Sequence, residues 1–399
     1  MVTTTFTITG AWDMMASINR HSKPDRAGRY LRQPGGFRAF IPAPLPPDPP
    51  LVMATELIML LADAQGALGR LDGSTETLPD PDFFVGMFSR QEAMLSSRIE
   101  GTQATLIQVL ELEIGAPATQ SGDAREVVNY VEAMKFGLKR LDTLPVSLRL
   151  IREIHNLLMQ NVRGAERDPG QFRRTQNWIG PAGTTLEQAG FVPPPPHEMT
   201  QALNQLEKFI HDETPMPYLL KVGLVHSQFE TIHPFLDGNG RIGRLLITFL
   251  LCEGGLLKRP VLYLSRFFER NRREYYERLQ TVRDGGDWES WIEFFLRGVR
   301  EVSNQATATA REIVNLRERH RALVSQRLGR GAHKGLVLLE DLYLHPVVSV
   351  NDVARVTNLT FASANELVKN FVGLEILREY TGRPRDRSFA YMPYLTLFD

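Results

Sequence analysis

Apolar residues recur every three or four positions through most of the first 300 residues. This spacing places side chains on one face of an α-helix. The sequence therefore predicts a mainly α-helical protein. The predicted helices span residues 51–71, 82–97, 124–141, 146–162, 199–211, 218–229, 241–252, 267–280 and 288–302.

Two segments interrupt this helical pattern. Six prolines fall between Pro42 and Pro50. Because proline fixes φ and lacks an amide donor, they predict an extended arm. Residues 172–196 contain two short apolar pieces around a turn rich in Gly and Thr, and they end in four prolines. This pattern predicts a β-hairpin, or a looser flap, over about residues 177–192.

The last hundred residues have a different pattern. Residues 301–330 are polar with helical spacing and predict a long connecting helix. Three short helices follow over residues 336–344, 349–357 and 360–371, and an alternating segment over 373–391 predicts a small hairpin. Three helices and a hairpin in this order are typical of a winged helix-turn-helix.

Charge bears on what this C-terminal unit binds. Residues 331–399 carry seven basic and eight acidic side chains, and the predicted recognition helix has one base, Lys369. A DNA-binding unit is expected to present excess positive charge to the phosphates. We therefore favour a role in protein interaction or dimer packing, with DNA binding as the less favoured alternative.

Composition narrows the class of protein further. The 399 residues are enough for two or three domains of about 100–200 residues each. The 46 basic and 46 acidic residues balance, which argues against general binding of polyanions. A single cysteine, Cys252, excludes a disulfide framework and favours a reducing compartment. Without an apolar run of membrane-spanning length or a signal-peptide pattern, the sequence predicts a cytoplasmic protein with no membrane contact.

The segment from His233 to Arg244, HPFLDGNGRIGR, contains the most informative polar residues. Its glycines match G-x-G-x-x-G, the spacing found in dinucleotide-binding loops. Such a loop follows a buried strand and precedes an acidic residue by about 20 positions. Pro234 disfavours the strand and no acid follows at that distance, so we reject a dinucleotide-binding fold.

The same segment has the chemistry of an anion site. Backbone amides of residues 238–240 can line an anion-binding concavity, and the helix predicted just after them adds its positive end. Arg241 and Arg244 share one helix face and suit phosphate oxygens. Asp237 offers a hard oxygen ligand for Mg²⁺, and His233 can act as a general base near neutral pH. This combination predicts an enzyme that acts on a nucleotide polyphosphate.

From His233 to Arg244 the sequence resembles the Fic motif, H-x-F-x-[D/E]-G-N-G-R-x-x-R, at every defined position. The resemblance extends over about residues 53–302 and includes the upstream FVPPPP segment. It implies a Fic helical core with a β-hairpin flap. The implied reaction is transfer of AMP from ATP to a Ser, Thr or Tyr hydroxyl of a protein, this chain included.

The resemblance implies a role for each motif residue. His233 would deprotonate the target hydroxyl, and Asp237 would hold Mg²⁺ on the α- and β-phosphates. Arg241 and Arg244 would bind the outer phosphates. Three residues would cradle the phosphate oxygens: Gly238, Asn239 and Gly240. ATP is thus the implied substrate and Mg²⁺ the implied cofactor.

Other residues have weaker assignments. Tyr275 and Tyr276 resemble family positions near the nucleotide base, and packing is an equally favoured alternative. The flap would align the target peptide by adding a strand, whereas its simpler interpretation is a surface hairpin. We expect His226 to be a supporting core histidine and Phe235 to anchor the loop.

A second motif lies upstream. Residues Ser96 to Gly101 match [S/T]-x-x-x-E-[G/N], the pattern of the Fic inhibitory helix. By resemblance, Glu100 would pair with Arg244 in the place of the γ-phosphate, and Ser96 would support the helix end. An exposed glutamate without a role is the less favoured alternative. A carboxylate there could also position water, so hydrolytic removal of AMP stays open as an alternative function.

These observations predict four units along the chain. They are an N-terminal Pro-rich arm and helical region carrying the inhibitory helix (1–115), a Fic catalytic core (116–303), a helical connector (304–330) and a winged helix-turn-helix (331–399). The expected partners are ATP and a protein with a hydroxyl side chain. Family analogy also allows a homodimer. An alternative from another class is a DNA-binding regulator with a secondary Fic core.

Overall fold

The computed structural model describes residues 24–76, 81–114, 122–180, 183–383 and 385–398. Some predicted features lie outside these ranges. They are the first 23 residues of the N-terminal unit, residues 181–182 of the flap, Pro384 at the tip of the C-terminal hairpin, and Asp399.

The described residues are mainly α-helical, as the periodicity predicts. The helices are α1 (Thr55–Glu76), α2 (Pro81–Ile99), α3 (Leu106–Glu113), α4 (Gly122–Leu141), α5 (Leu148–Leu158), α6 (Pro196–His211), α7 (Tyr218–Ile232), α8 (Asn239–Glu253), α9 (Ser265–Arg270), α10 (Arg272–Gly285), α11 (Trp288–Arg327), α12 (Ala332–Leu344), α13 (Val350–Thr357), α14 (Phe361–Gly373) and α15 (Met392–Leu395).

Two small antiparallel sheets accompany the helices. In the first, β1 (Gly28–Arg32) pairs with β2 (Arg38–Pro42). In the second, β5 (Ser388–Ala390) lies between β3 (Val347–Ser349) and β4 (Arg378–Glu379). The sequence pattern did not predict β1, β2 or β3, because strands of three to five residues are too short for alternation to be distinctive.

Helices α7 and α8 form the centre of the core. Every residue of α7 from Leu219 to Ile232 is buried, and α8 is buried from Arg241 to Leu251. A helix that is buried on all sides is held by neighbours in every direction. The short loop between these two helices, residues 233–238, therefore has little freedom to move.

Helix α11 is 40 residues long, which corresponds to about 60 Å. It joins two segments that the sequence analysis treated separately, 288–302 and 301–330. The predicted division after residue 303 falls inside this helix. Helix α1 packs along α11, and α12 packs back against it.

Other predicted boundaries differ in detail. The helix predicted over 267–280 is two helices, α9 and α10, that meet at Asn271. Helix α3 was not predicted; it begins at Thr105, whose side chain accepts a hydrogen bond from the amide of Gln108 in a capping box. In the described ranges, no helix is long and apolar enough to span a membrane.

The C-terminal unit contains helices α12, α13 and α14 in the predicted order, followed by β4 and β5. Ser349 and Thr360 cap α13 and α14 by accepting backbone hydrogen bonds. The unit packs directly on the N-terminal helices: the Tyr380 hydroxyl lies 2.8 Å from Glu111 Oε1, and the Phe398 ring packs edge-on to Phe88 at 5.6 Å.

Candidate functional site

The site is built around the loop between α7 and α8. His233 ends α7 with a left-handed backbone (φ 50°), and Gly238 precedes α8 with φ 76°. Inside the loop, the Phe235 amide donates to Asn239 Oδ1, and Asn239 Nδ2 donates to the Phe235 carbonyl, both at 2.8 Å. Asn239, predicted to bind phosphate, therefore uses its side chain to hold the loop closed.

The start of α8 faces the same loop. The first amides of a helix have no intrahelical acceptor, so residues 239–241 present donors toward the loop. The Gly238 amide donates to Asp237 Oδ1 at 2.7 Å. These amides and the positive end of the helix give the loop the character of an anion site.

Arg241 is buried beside two carboxylates. Its Nη1 lies 3.4 Å from Glu126 Oε2 on α4, and its Nη2 lies 3.7 Å from Asp237 Oδ1. The Thr102 hydroxyl also donates to Glu126, at 3.0 Å. Within the described residues the Nε of Arg241 has no hydrogen-bond partner, so the guanidinium keeps one donor free.

Arg244 is held by the end of α2. Its Nε donates to Ser96 Oγ at 2.8 Å, and its Nη2 donates to the Ser96 carbonyl at 3.1 Å and to Glu100 Oε1 at 2.6 Å. Partial burial raises the pKa of the Glu100 carboxyl, but Arg244 outweighs that effect and holds the pKa below its usual value. Ser96 and Glu100 thus meet Arg244, which lies 144 or more positions later in the sequence, in one ion-pair cluster.

Gly240 makes this approach possible. A Cβ atom at Gly240 would lie 2.2 Å from Glu100 Oε1 and 2.9 Å from Arg244 Nη1. Gly101, which follows Glu100, has φ 98°, a conformation that glycine adopts without strain. Gly101 thus suits its backbone conformation, and the lack of a Cβ atom at Gly240 leaves room for the carboxylate and the guanidinium.

His233 lies in a strongly desolvated, positively charged setting. Burial lowers the pKa of its imidazole to about 3, and Arg173 and Arg283 act in the same direction. The ring is thus neutral at pH 7, the state a general base requires. Within the described part of the chain, its Nδ1 has no hydrogen-bond partner.

Asp237, the predicted Mg²⁺ ligand, is only partly buried. Its side chain is 29% exposed, and Oδ2 lies 3.3 Å from Arg167 Nη1. In the described residues, no group of three or more His, Cys, Asp or Glu side chains could hold a metal. A single protein carboxylate suits Mg²⁺, which is commonly held by one or two carboxylates together with substrate phosphates.

The two tyrosines occupy different environments. Tyr275 is 1% exposed, and its hydroxyl lies 2.9 Å from His226 Nε2, which favours the packing alternative for this residue. Tyr276 is 43% exposed, and it lies close enough to Glu100 and Arg244 for their charges to affect the pKa of its hydroxyl. His226 is a core histidine: Nδ1 donates to the Gly243 carbonyl at 2.9 Å, and burial lowers the pKa to about 3.

His155, on α5, packs against the loop, and the sequence analysis did not predict this role. Its ring stacks on Phe235 with a centroid distance of 3.7 Å. Nδ1 accepts a hydrogen bond from the Gly170 amide at 2.8 Å, so Nε2 carries the proton that it donates to the Asp237 carbonyl at 3.1 Å. Burial lowers its pKa to about 4, which keeps this tautomer neutral at pH 7. No local pattern around His155 indicates this role, because the loop residue that it binds, Asp237, is 82 positions away.

Glu230 is a second residue that sequence reasoning missed. Burial raises the pKa of its carboxyl to about 7, and in the described structure Oε1 has no hydrogen-bond partner. A Cβ atom at Gly243 would lie 2.3 Å from this oxygen. The third glycine of the loop pattern thus makes room for the Glu230 carboxyl.

The flap takes the looser of the two predicted forms. Ile179 and Phe191 form one antiparallel bridge, with N–H···O distances of 2.8 and 3.1 Å. The Trp178 indole is 43% exposed, and its Nε1 donates to the Thr184 carbonyl at 2.8 Å. At the far end, the Phe40 amide of β2 donates to the Val192 carbonyl at 2.9 Å. The N-terminal hairpin is therefore attached to the flap.

Two family models match this chain. The model described as Fic/DOC family N-terminal matches residues 58–139, and the model described as Fic/DOC family matches residues 145–251. The second match contains the whole loop from His233 to Arg244. The first contains Ser96 and Glu100 on α2.

Curated relatives share part of this chain. The protein adenylyltransferase Fic of Drosophila grimshawi is 30% identical over 196 residues, which are 47% of this chain and 36% of that protein. The protein of the same name from Drosophila yakuba is 27% identical over 232 residues, 56% of this chain and 42% of that protein. The chain thus spans less than half the length of these relatives.

Solved structures share the fold. A Fic family protein from Desulfovibrio desulfuricans G20 superposes with a TM-score of 0.55 at 20% identity, covering 86% of this chain and 97% of that one. Fic-1 (residues 134–508) from C. elegans superposes with a TM-score of 0.50 at 20% identity, covering 65% of this chain and 74% of that one. The mainly α-helical architecture is shared with both.

Proposed function

We propose that this chain transfers AMP from ATP to a Ser, Thr or Tyr hydroxyl of a protein, and the matches of the Fic/DOC family models to residues 58–139 and 145–251 support the proposal. The relatives named protein adenylyltransferase support this reaction class. The observation that carries the proposal is the assembly of a neutral His233, the free amides at the start of α8 and Arg244 around one closed loop.

In the proposed reaction, His233 takes the proton of the target hydroxyl. The hydroxyl oxygen then forms a bond to the α-phosphorus, while the bond from that phosphorus to the bridging oxygen breaks and pyrophosphate leaves. Amides of residues 239 and 240 stabilise charge on the phosphate oxygens, and Arg241 and Arg244 stabilise charge on the leaving group. These groups act by positioning and electrostatics, as expected for phosphoryl-type transfer.

Asp237 would hold Mg²⁺ against the phosphates of ATP. Its partly exposed carboxylate, together with the lack of a group of three or more His, Cys, Asp or Glu side chains in the described residues, fits an ion shared between protein and substrate. When bound, Mg²⁺ supplies charge neutralisation on the phosphates. Asp237 would orient the ion, and His155 holds Asp237 in place through the hydrogen bond to its backbone carbonyl.

Glu100 would inhibit this reaction from the end of α2. The 2.6 Å contact between Glu100 and Arg244 supports the idea, because it occupies the guanidinium that would otherwise bind the outer phosphate of ATP. Arg244 is 2% exposed, and its Nε already donates a hydrogen bond to Ser96. A γ-phosphate must therefore displace Glu100 to reach the guanidinium. ATP held without that contact would be poorly aligned for attack.

Removal of AMP from a modified protein is the second candidate. The observation that favours it is the Glu100 carboxylate beside Gly240, where it could hold a water near the α-phosphate. The C-terminal unit, interpreted as a winged helix-turn-helix, would serve protein interaction or dimer packing. DNA binding is the less favoured role for that unit.

Incubation with ATP labelled at the α-phosphate and Mg²⁺ tests the proposal. We expect weak labelling of the parent, strong labelling of Glu100→Gly, and none of Glu100→Gly/His233→Ala. Glu113→Gly is a matched control, because Glu113 also ends a helix and pairs with an arginine, Arg90, at 2.8 Å. It should label like the parent.

Each result has a distinct meaning. Equal labelling of the parent and Glu100→Gly would contradict the inhibitory role. Labelling that survives in the double variant would contradict the role of His233 as the base. No label in any variant would contradict AMP transfer from ATP, and release of AMP from a modified protein would then favour the second candidate.

A further inference from the structure

Arg173 is a buried cation that is bound by carbonyl groups alone. It is 2% exposed, and its Nε donates to the His233 carbonyl at 3.0 Å. Its Nη atoms donate to the carbonyls of Thr175 and Ile232, at 3.2 and 3.5 Å, and to the carbonyl of Pro194. Its backbone amide donates to the Pro234 carbonyl at 2.9 Å. Among the described residues, no carboxylate lies within 4.0 Å of its guanidinium; burial lowers the pKa of Arg173 to about 10.

Arg283, on α10, approaches the end of α7 from another direction. It is 7% exposed; its Nε donates to the Thr231 hydroxyl at 3.2 Å and its Nη2 to the Glu230 carbonyl at 3.3 Å. The guanidinium lies over the Phe191 ring of the flap, 3.8 Å from its centroid. In the described structure this arginine also lacks a carboxylate within 4.0 Å, and the carboxyl with the largest effect on its pKa, Glu230, itself has a raised pKa.

These two cations contact the flap as well as the end of α7. Arg173 binds the carbonyl of Pro194, two residues after the flap, and Arg283 covers Phe191 within it, so the two arginines fasten this end of the flap to the segment that carries His233. A buried guanidinium costs solvation free energy that burial of an apolar side chain would not. Two such guanidinium groups lie beside one imidazole, and their charge acts on its protonation in addition to any packing role.

The charged groups that face His233 come from four elements. Arg173 precedes the flap, Arg283 lies on α10, Glu100 lies at the end of α2, and Glu230 lies one turn earlier on α7. The two arginines disfavour the imidazolium form and Glu100 favours it. Glu230 contributes its backbone carbonyl, and burial raises the pKa of its side chain to about 7, so its negative charge is about half present at pH 7.

We propose that Arg173 and Arg283 are positioning residues that keep His233 uncharged and fasten the flap to the catalytic loop. The inference rests on the proposed function, in which His233 is the base. ATP brings several negative charges to the loop, and these would draw a proton onto the imidazole. Two unpaired guanidinium groups oppose that pull, so the base remains able to accept the proton of the target hydroxyl.

Proton titration of His233 in the full chain tests this without nucleotide or catalysis. The histidines are labelled with ¹³C at Cε1, and His233 is assigned from the spectrum of His233→Ala. We expect His233 of the parent to stay neutral from pH 8 down to pH 5. In Arg173→Gln and in Arg283→Gln we expect the midpoint to rise by at least one pH unit, because one opposing charge is gone.

Two variants separate charge from packing. Arg173→Lys keeps a cation at the site and should keep the low midpoint, even though it loses the fork of hydrogen bonds. Arg174→Gln removes an exposed charge from the neighbouring residue and should leave the titration unchanged. If Arg173→Gln does not fold by circular dichroism, Arg283→Gln and Arg173→Lys carry the test.

The inference is overturned if His233 titrates at the same pH in both Gln variants as in the parent, or if it titrates near 6.5 in the parent. In the Glu100→Gly background, Arg173→Gln and Arg283→Gln should each move the acid limb of the kcat–pH profile to higher pH, as they move the NMR midpoint. The KM for ATP should stay unchanged. An absence of AMP transfer would refute the proposed function alone, because the titration does not depend on activity.

Discussion

At the scale of single residues, the glycines of the loop explain a misleading pattern. The spacing G-x-G-x-x-G matches a dinucleotide-binding loop, but here Gly240 and Gly243 make room for carboxylates. A Cβ atom at either position would lie within 2.3 Å of an oxygen, that of Glu100 or that of Glu230. The pattern therefore arises from two close side-chain approaches to one helix, and the rejection of a dinucleotide fold agrees with this geometry.

Substitution of Asp237 tests its assignment as the Mg²⁺ ligand. In the Glu100→Gly background, Asp237→Asn should raise the Mg²⁺ concentration for half-maximal AMP transfer by about tenfold or more, since an amide is a weaker ligand for a hard cation than a carboxylate. The measurement is the initial rate against Mg²⁺ concentration at fixed ATP.

Asp168→Asn is the control for that experiment, because Asp168 is an exposed acid whose positive φ of 50° suits Asn as well. It should leave the Mg²⁺ dependence unchanged. A normal Mg²⁺ requirement in Asp237→Asn would contradict the assignment of Asp237 as the metal ligand.

At the scale of elements, the position of α8 depends on how closely α4 packs against it. Gly137 on α4 lies under the Phe249 ring of α8, and a Cβ atom there would lie 2.3 Å from Phe249 Cζ. Gly69 on α1 is also in a helix interior, but a Cβ atom there would meet nothing within 4 Å. The two glycines have the same helix propensity and opposite surroundings.

Substitution by Ala should therefore have opposite effects at the two positions. Gly69→Ala should raise the free energy of unfolding by about 0.5–1 kcal/mol, since Ala favours the helix. Gly137→Ala should lower it, because overpacking costs about 1–3 kcal/mol against a gain of about 1 kcal/mol in helix propensity. Urea unfolding followed by circular dichroism measures both, and stabilisation by Gly137→Ala would contradict the close packing of α4 and α8.

At the scale of the whole molecule, buried histidines and carboxyls make stability depend on pH. Burial lowers the pKa of His155 to about 4 and that of His226 and His233 to about 3. Below pH 6.5 the unfolded chain therefore binds protons that the folded chain does not, and folding loses free energy. Burial raises the pKa of the Glu230 carboxyl to about 7 and also raises that of Glu92. These two groups bind protons more readily in the folded chain, so they oppose the effect of the histidines on stability.

The free energy of unfolding should fall as the pH falls from 6.5 to 5. Each histidine contributes about 1.4 kcal/mol per pH unit at most, and Glu230 opposes one of the three as it gains its proton between pH 7 and 4.5. Urea unfolding at pH 7, 6 and 5 measures this slope. His226→Gln should make the slope shallower, and a parent whose stability rises on acidification would contradict buried neutral histidines.

The sequence by itself determined the features that depend on local spacing. Helical periodicity predicted the mainly α-helical fold and most helix bounds to within a few residues, because amphipathic spacing is a property of contiguous residues. The loop from His233 to Arg244 was recognisable because all its polar residues lie within twelve positions. The sequence pattern missed very short strands such as β3, and it missed that α11 continues through a predicted boundary. Both features depend on the packing partner and not on the segment alone.

Only the tertiary structure decided what surrounds the loop. Arg173 lies 60 positions before His233, and Glu126 lies 115 before Arg241, so no local pattern could pair them. Likewise, no local pattern could indicate the tautomer of His155. Nor could one indicate that Glu230 Oε1 lacks a hydrogen-bond partner among the described residues. Burial and distant charges set the protonation of these groups, since the desolvation of an ionisable side chain depends on everything packed around it.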